Sequence, residues 1–184
     1  MMAKERPSET TLRGNPLTLV GRPLEPGDVA PDFELIPASP AITPIVTGEL
    51  EPVRLSELRG KVVLLSCVPS LNTQTCSLET HRWEQERATL GEQIEMLTVS
   101  MDLPFAQAVW CETEEVGHRT ASAHKNEQFG IDYGVLVKEL RLLARAVFVI
   151  GKDGHIKHAE YVREFIEEPD YGRLIEAAKQ AAAE

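Results

Sequence analysis

The run Lys61-Val62-Val63-Leu64-Leu65-Ser66-Cys67-Val68 constrains this chain more than any other stretch. Apolar residues fill nearly every position, without the alternation of a strand that has one wet face. Such a run reads as a strand buried on both faces, the pattern of sheets covered by helices. The next segments complete the unit. A helical stretch follows Cys76 and runs toward Gly91, and Ile94-Glu95-Met96-Leu97-Thr98-Val99-Ser100 is a second strand. Strand, helix and strand together imply a parallel pair joined by a right-handed crossover.

Shorter elements surround this unit. Gly14-Asn15-Pro16 is a turn signal between β-like pieces at Thr11–Arg13 and Leu17–Val20, which suggests an N-terminal hairpin. Phe33–Ile36 reads as a short strand, residues 37–50 as an irregular excursion, and Leu55–Gly60 as a helical turn ended by glycine. Phe105–Cys111 reads as a helix with Pro104 at its first turn. Residues 112–124 show no period, and residues 126–134 are helix or turn. Arg145–Ile150 is a strand, Lys152-Asp153-Gly154 turns it into a second at His155–Val162, and a helix over Asp170–Ala183 ends the chain. The order βαβ then ββα predicts a thioredoxin-like α/β fold, a central mixed sheet flanked by helices with an added N-terminal β-hairpin. Residues 1–11 are expected as a flexible tail, and 12–184 as a single domain, an ordinary size for one core.

The thiol of Cys76 stands where the buried strand gives way to the helix. Free N–H groups and the helix dipole at such a place favour an anion. Ordinary cysteine ionises near pH 8.5, and a helix N-terminus with a neighbouring cation lowers that value. The thiolate is the nucleophile, so this position points to cysteine redox chemistry.

Charge and composition exclude other classes. A net charge of −10 argues against a grip on nucleic acid, which needs a basic stripe, and against docking on anionic membranes. No stretch approaches the roughly 20 apolar residues that span a bilayer. The polar start, Met1 to Glu9, has no apolar core for export, so a reducing cytoplasm is expected. The 3 cysteines there are not expected to build a disulfide framework. Without a C-x-x-C pair or ligand-spaced histidines, neither a metal nor another cofactor is expected.

Several motifs in order resemble one family. Pro69, Thr73 and Cys76 fit the peroxiredoxin pattern P-x-x-x-T-x-x-C. The fuller run Pro69-Ser70-Leu71-Asn72-Thr73-Gln74-Thr75-Cys76, then Asp102-Leu103-Pro104-Phe105-Ala106-Gln107 and Cys111, resembles the thiol peroxidase branch, the atypical two-cysteine peroxiredoxins. Gly14-Asn15-Pro16, Leu143–Val147 and Glu168-Pro169-Asp170-Tyr171 add to the likeness, which covers about residues 12–182. Two departures stand out. Asn72 replaces the branch's usual aspartate, and the 37–50 segment is longer than expected.

The resemblance implies a peroxidase that reduces hydroperoxides, alkyl or lipid ones and hydrogen peroxide. Cys76 would be the peroxidatic thiolate, with Arg145 as its cation and as a donor that polarises the O–O bond. Thr73 would accept from the peroxide and donate to sulfur or to the leaving oxygen, and Pro69 would stiffen the loop and so shield the sulfenic acid from a second oxidation. Leu71, Phe105 and Phe129 would line the substrate pocket. Cys111, 35 positions after Cys76, would resolve the sulfenic acid as an intrachain disulfide, recycled by thioredoxin, and the protein would be a homodimer.

Plainer readings stand beside these. Cys67 reads as a small buried hydrophobe, although it is also a possible substitute for Cys111. From chemistry alone, Trp110-Cys111 is a packed helix face, Thr73 a helix cap and Arg145 a strand-edge residue. Two rival functions remain: a peroxide-sensing relay that passes its oxidation to a partner, and an inactive interaction protein of the same fold.

Overall fold

A computed structural model describes residues 3–184. The first half contains β1 (Glu5–Leu12), β2 (Asn15–Val20), β3 (Glu34–Pro37), α1 (Thr43–Thr47), β4 (Val53–Arg54), a 3-10 turn at Leu55–Leu58, β5 (Val62–Cys67) and α2 (Gln74–Leu90). The second half contains β6 (Ile94–Ser100), α3 (Pro104–Thr113), β7 (Arg119–Ser122), α4 (Gln128–Asp132), β8 (Leu136–Val137), β9 (Leu142–Leu143), β10 (Ala146–Ile150), β11 (Ile156–Tyr161) and α5 (Tyr171–Ala183).

The larger sheet runs β11-β10-β5-β6-β7-β3-β4 and the smaller β1-β2-β8-β9. Strand β5 lies inside the larger sheet, parallel to β6 and antiparallel to β10. Every residue of β5 is buried, as the apolar run requires. Its side chains alternate between two layers. Val62 and Leu64 join Trp83, Leu90, Leu174 and Ala178 beneath α2 and α5. Val63, Leu65 and Cys67 join Phe148, Leu19, Val137 and Tyr133 in the other layer, shared with the smaller sheet. The crossover β5-α2-β6 and the hairpin β10–β11 followed by α5 make the expected thioredoxin-like core. Asp170 caps α5, its side chain accepting from the Arg173 N–H at 3.1 Å.

The N-terminus corrects the expected tail. Met1 and Met2 lie outside the described residues, but Glu5–Leu12 is strand β1, paired antiparallel with β2. Its buried residues are polar, Arg6 and Thr10, so no apolar signal marked it. Arg6 donates from Nε to the Gly21 carbonyl at 2.9 Å and from Nη2 to the Gly134 carbonyl, with its guanidinium over the Tyr161 ring. The hairpin turns at Arg13-Gly14, one residue earlier than the turn signal, with φ of 51° and 76°. Strand β7 was also unread: Thr120, Ala121 and Ser122 are buried but small or polar. Within 37–50, only the short α1 is regular, and none of its residues is buried.

Gly21 holds the junction of β2 with α4. Its φ is 102°, and a Cβ there would lie 1.9 Å from the Ile131 carbonyl oxygen. Backbone, not a flexible side chain, blocks that space. Gly21→Ala should therefore cost about 3 kcal/mol, the sum of left-handed strain and overpacking. Urea unfolding at constant m-value checks this, and an unchanged midpoint would refute it.

Candidate active site

Thr73 occupies the N-cap of α2 with extended backbone, φ −104° and ψ 148°, and its carbonyl accepts from the Ser77 N–H at 2.9 Å. Its side chain makes no capping bond. The hydroxyl instead lies 2.8 Å from Cys76 Sγ and 3.1 Å from the Ser70 carbonyl. Cys76 thus sits in the first turn, where the N–H groups have no intrahelical partners. The thiol is fully buried, packed with Val68, Leu71 and Trp110, while Thr73 beside it is exposed. Pro69 is buried in the loop below.

Arg145 immediately precedes β10 and is 1% exposed, far from the surface position ordinary for arginine. Its Nη2 lies 3.3 Å from Cys76 Sγ and donates to the Phe165 carbonyl at 2.9 Å. Its Nη1 donates to Glu79 Oε2, a residue that sequence reasoning missed. Glu79 is wholly buried and also accepts from Ser66 Oγ at 2.7 Å and Trp83 Nε1 at 3.1 Å. Complete burial raises the Glu79 carboxyl, against the opposing pull of Arg145, Ser66 and Trp83. All three partners donate, which is the geometry of a carboxylate. Burial opposes the charge on Arg145, but attraction to Glu79 and Cys76 outweighs it and holds the guanidinium above its usual range.

The missed Glu79 had a faint signal. Cys76, Glu79, Thr80, Trp83 and Leu90 are the buried residues of α2, at the spacing of one helix face. A glutamate on that stripe needs a buried cation, and Arg145 is the one that meets it. Alternation along β5 turns Ser66 to the same layer. Asp102 was seen only as part of a motif, yet it ties the cysteine loop to the end of β6. It accepts from Ser70 Oγ at 2.7 Å, the Leu71 N–H at 2.8 Å and Ser100 Oγ at 2.7 Å.

The other expected site residues divide. Leu71 and Phe105 line a groove of about 500 Å³ with Asn72, Ala106, Val109 and Trp110, and Leu71 and Trp110 also pack against Cys76. Phe129 is not brought there. It packs instead against Phe33 and Tyr133, with centroids 5.6 and 4.7 Å away, in the layer shared with the smaller sheet. Cys111 lies in α3, half-buried, with Sγ 3.4 Å from Thr120 Oγ1. Burial raises its thiol, so it rests protonated. Cys67 is free and fully buried, and burial raises its thiol strongly. It faces the layer opposite Ser66, away from α2. Among the described residues, no group of three or more His, Cys, Asp or Glu could hold a metal ion, and no helix is long and apolar enough to cross a membrane.

The pattern of the AhpC/TSA family matches residues 26–159. The chain is 45% identical over 172 residues to a thiol peroxidase of Halalkalibacterium halodurans, covering 93% of this chain and 97% of that protein. It is 43% identical over 173 residues to a thiol peroxidase of Bacillus subtilis, covering 94% and 97%. Among solved structures, a peroxiredoxin-like protein from Aquifex aeolicus superposes with a TM-score of 0.82 at 33% identity, over 98% of both chains. The thiol peroxidase of Chromobacterium violaceum, at 16% identity and a TM-score of 0.78 over 95% and 97%, shares the fold.

Glu79→Gln would leave the Arg145 guanidinium buried without its fixed counter-charge. A loss of about 3–5 kcal/mol is expected, because removing one member of a buried pair strands the other. A urea midpoint equal to wild type would show that the pair does not stabilise the fold.

Proposed function

Because this chain belongs to the AhpC/TSA family, and within it to the thiol peroxidase branch of the peroxiredoxins, we propose that it runs a two-cysteine cycle on Cys76 and Cys111. It is a thiol-dependent peroxidase, an enzyme that reduces hydroperoxides. The observation that carries the assignment of residues is the convergence of Thr73 Oγ1 and Arg145 Nη2 on Cys76 Sγ, at 2.8 and 3.3 Å.

In the first step the Cys76 thiolate attacks the terminal oxygen of the hydroperoxide. An S–O bond forms, the O–O bond breaks, and the leaving alkoxide takes a proton to become an alcohol, or water from hydrogen peroxide. Arg145 stabilises the charge that moves from sulfur to the leaving oxygen. Thr73 accepts from the peroxide O–H while its own proton serves sulfur or the leaving group. Buried Pro69 offers no N–H and keeps the loop stiff. The groove walls Leu71 and Phe105 favour an alkyl group over hydrogen peroxide, whereas Phe129 takes no part.

In the second step Cys111 attacks the Cys76 sulfenic acid, releasing water and forming a disulfide. Both cysteines are free here. Each lies on a helix held by side-chain contacts, and a bridge needs Cα atoms within about 7 Å. Local unwinding of the first turn of α2 and the last turns of α3 accompanies this step. Thioredoxin returns both thiols, the protein works as a homodimer, and its place is the cytoplasm.

Peptide mass spectrometry after one equivalent of cumene hydroperoxide tests the cycle. Wild type should give a Cys76–Cys111 bridge, and Cys111→Ser a trapped Cys76 sulfenic acid. A bridge to Cys67 or to a second chain would overturn the role of Cys111, and an unoxidised Cys76 would overturn the whole assignment. Steady NADPH consumption with thioredoxin and its reductase separates turnover from a single-use relay.

A further inference from the structure

Arg145 is held by few bonds for a buried guanidinium. Its Nε is buried without a partner. Nη1 reaches Glu79, and Nη2 reaches the sulfur that is to be served and the Phe165 carbonyl. Apart from the reacting sulfur, the guanidinium therefore has two fixed points. A planar group held at one point pivots, and the carbonyl of Phe165 removes that freedom.

Phe165 lies outside regular structure, between β11 and α5, so its carbonyl needs its own anchor. The N-terminal hairpin supplies one. The Phe165 N–H donates to the Thr11 carbonyl at 2.9 Å, and the Thr11 N–H donates to the Arg163 carbonyl at 2.7 Å. Thr10 Oγ1 adds a second bond to the Arg163 carbonyl at 2.8 Å. Between these residues, Glu164 turns its carboxylate onto the hairpin tip. It accepts from the Arg13 N–H at 2.8 Å, the Gly14 N–H at 3.0 Å and Thr11 Oγ1 at 2.8 Å. These donors, the Gly14 amide first, push the Glu164 carboxyl down to about 2. The same strap touches α2 itself, where Thr75 Oγ1 meets the Ile166 carbonyl at 3.5 Å.

We propose that Glu164 is a positioning residue for peroxide reduction: it clamps the hairpin tip to residues 163–166 and so fixes the Phe165 carbonyl that orients Arg145 against Cys76. The inference rests on the reading in which Arg145 acts at Cys76. It makes the N-terminal hairpin, which belongs to the smaller sheet, part of the machinery of a thiol on α2.

Stopped-flow single turnovers of the reduced protein with cumene hydroperoxide test it. Glu164→Ala should slow oxidation of Cys76 by about tenfold or more, since small displacements of a catalytic group are costly. Glu164→Gln should fall between it and wild type, because the carboxamide oxygen keeps part of the acceptor set. Glu167→Ala, whose carboxylate does not touch the hairpin, should match wild type. Glu164→Ala added to Arg145→Lys should slow the reaction no further, as expected of two residues acting through one group. A Glu164→Ala protein that unfolds at lower urea but reacts at the wild-type rate would overturn the proposal, and so would additive losses in the double variant. Should the alanine variant not fold, a wild-type rate in Glu164→Gln overturns it and a slowed one supports it. A wild-type rate in Arg145→Lys would instead overturn the role of Arg145, a separate result.

Discussion

A buried guanidinium beside a thiol is the constraint around which this site is built. Removing such a charge from water is costly unless an anion and further polar partners surround it. Glu79 supplies the anion, Phe165 a carbonyl, and Cys76 the sulfur. Glu79 in turn needs donors on its other oxygen, which explains Ser66 in an otherwise apolar strand and the indole of Trp83 one turn further along α2. Strand register and helix phase therefore answer to one electrostatic requirement. A slip of β5 by one residue would send Ser66 to the far layer and Cys67 to α2.

The same alternation sorts the cysteines. Cys67 points into the layer shared with the smaller sheet, where burial keeps its thiol protonated and out of reach of peroxide. Cys111 is half-open on α3. Cys76 alone has both a cation and a hydroxyl on its sulfur. Three residues of one type thus have three surroundings, set by which surface each element turns toward them.

Much of the core was legible because it announces itself locally. The apolar run of β5, the glycine that ends α2 and the turn at Lys152-Asp153-Gly154 each carry a signal within a few residues. Besides the two-residue strands β8 and β9, what escaped was polar and long-range. Strand β1 buries Arg6 and Thr10, and β7 buries Thr120 and Ser122, so neither has an apolar stripe. Glu79 looked like any helix glutamate until Arg145, just before β10, was in place. Phe129 was misassigned for the converse reason: an aromatic residue shows that it will be buried, not which side of the sheet will bury it. Thr73 had two readings, a hydroxyl on sulfur and a helix cap, and in the structure the side chain faces sulfur and makes no capping bond.

The clamp between the hairpin and the strap also sets an order of events in biosynthesis. Thr11 and Glu164 are 153 residues apart, and Cys76 and Arg145 are 69 apart. A ribosome delivers the hairpin and the thiol long before it makes the guanidinium and the carbonyl that orient it. A nascent chain that has only reached β6 thus carries Cys76 and Glu79 without the guanidinium that joins them. Contacts of such separation also close late in folding, after the local ones have formed. The two donors on the Cys76 sulfur are thus complete only in a chain synthesised beyond residue 145, and the carbonyl that holds one of them comes from the segment that meets the hairpin tip.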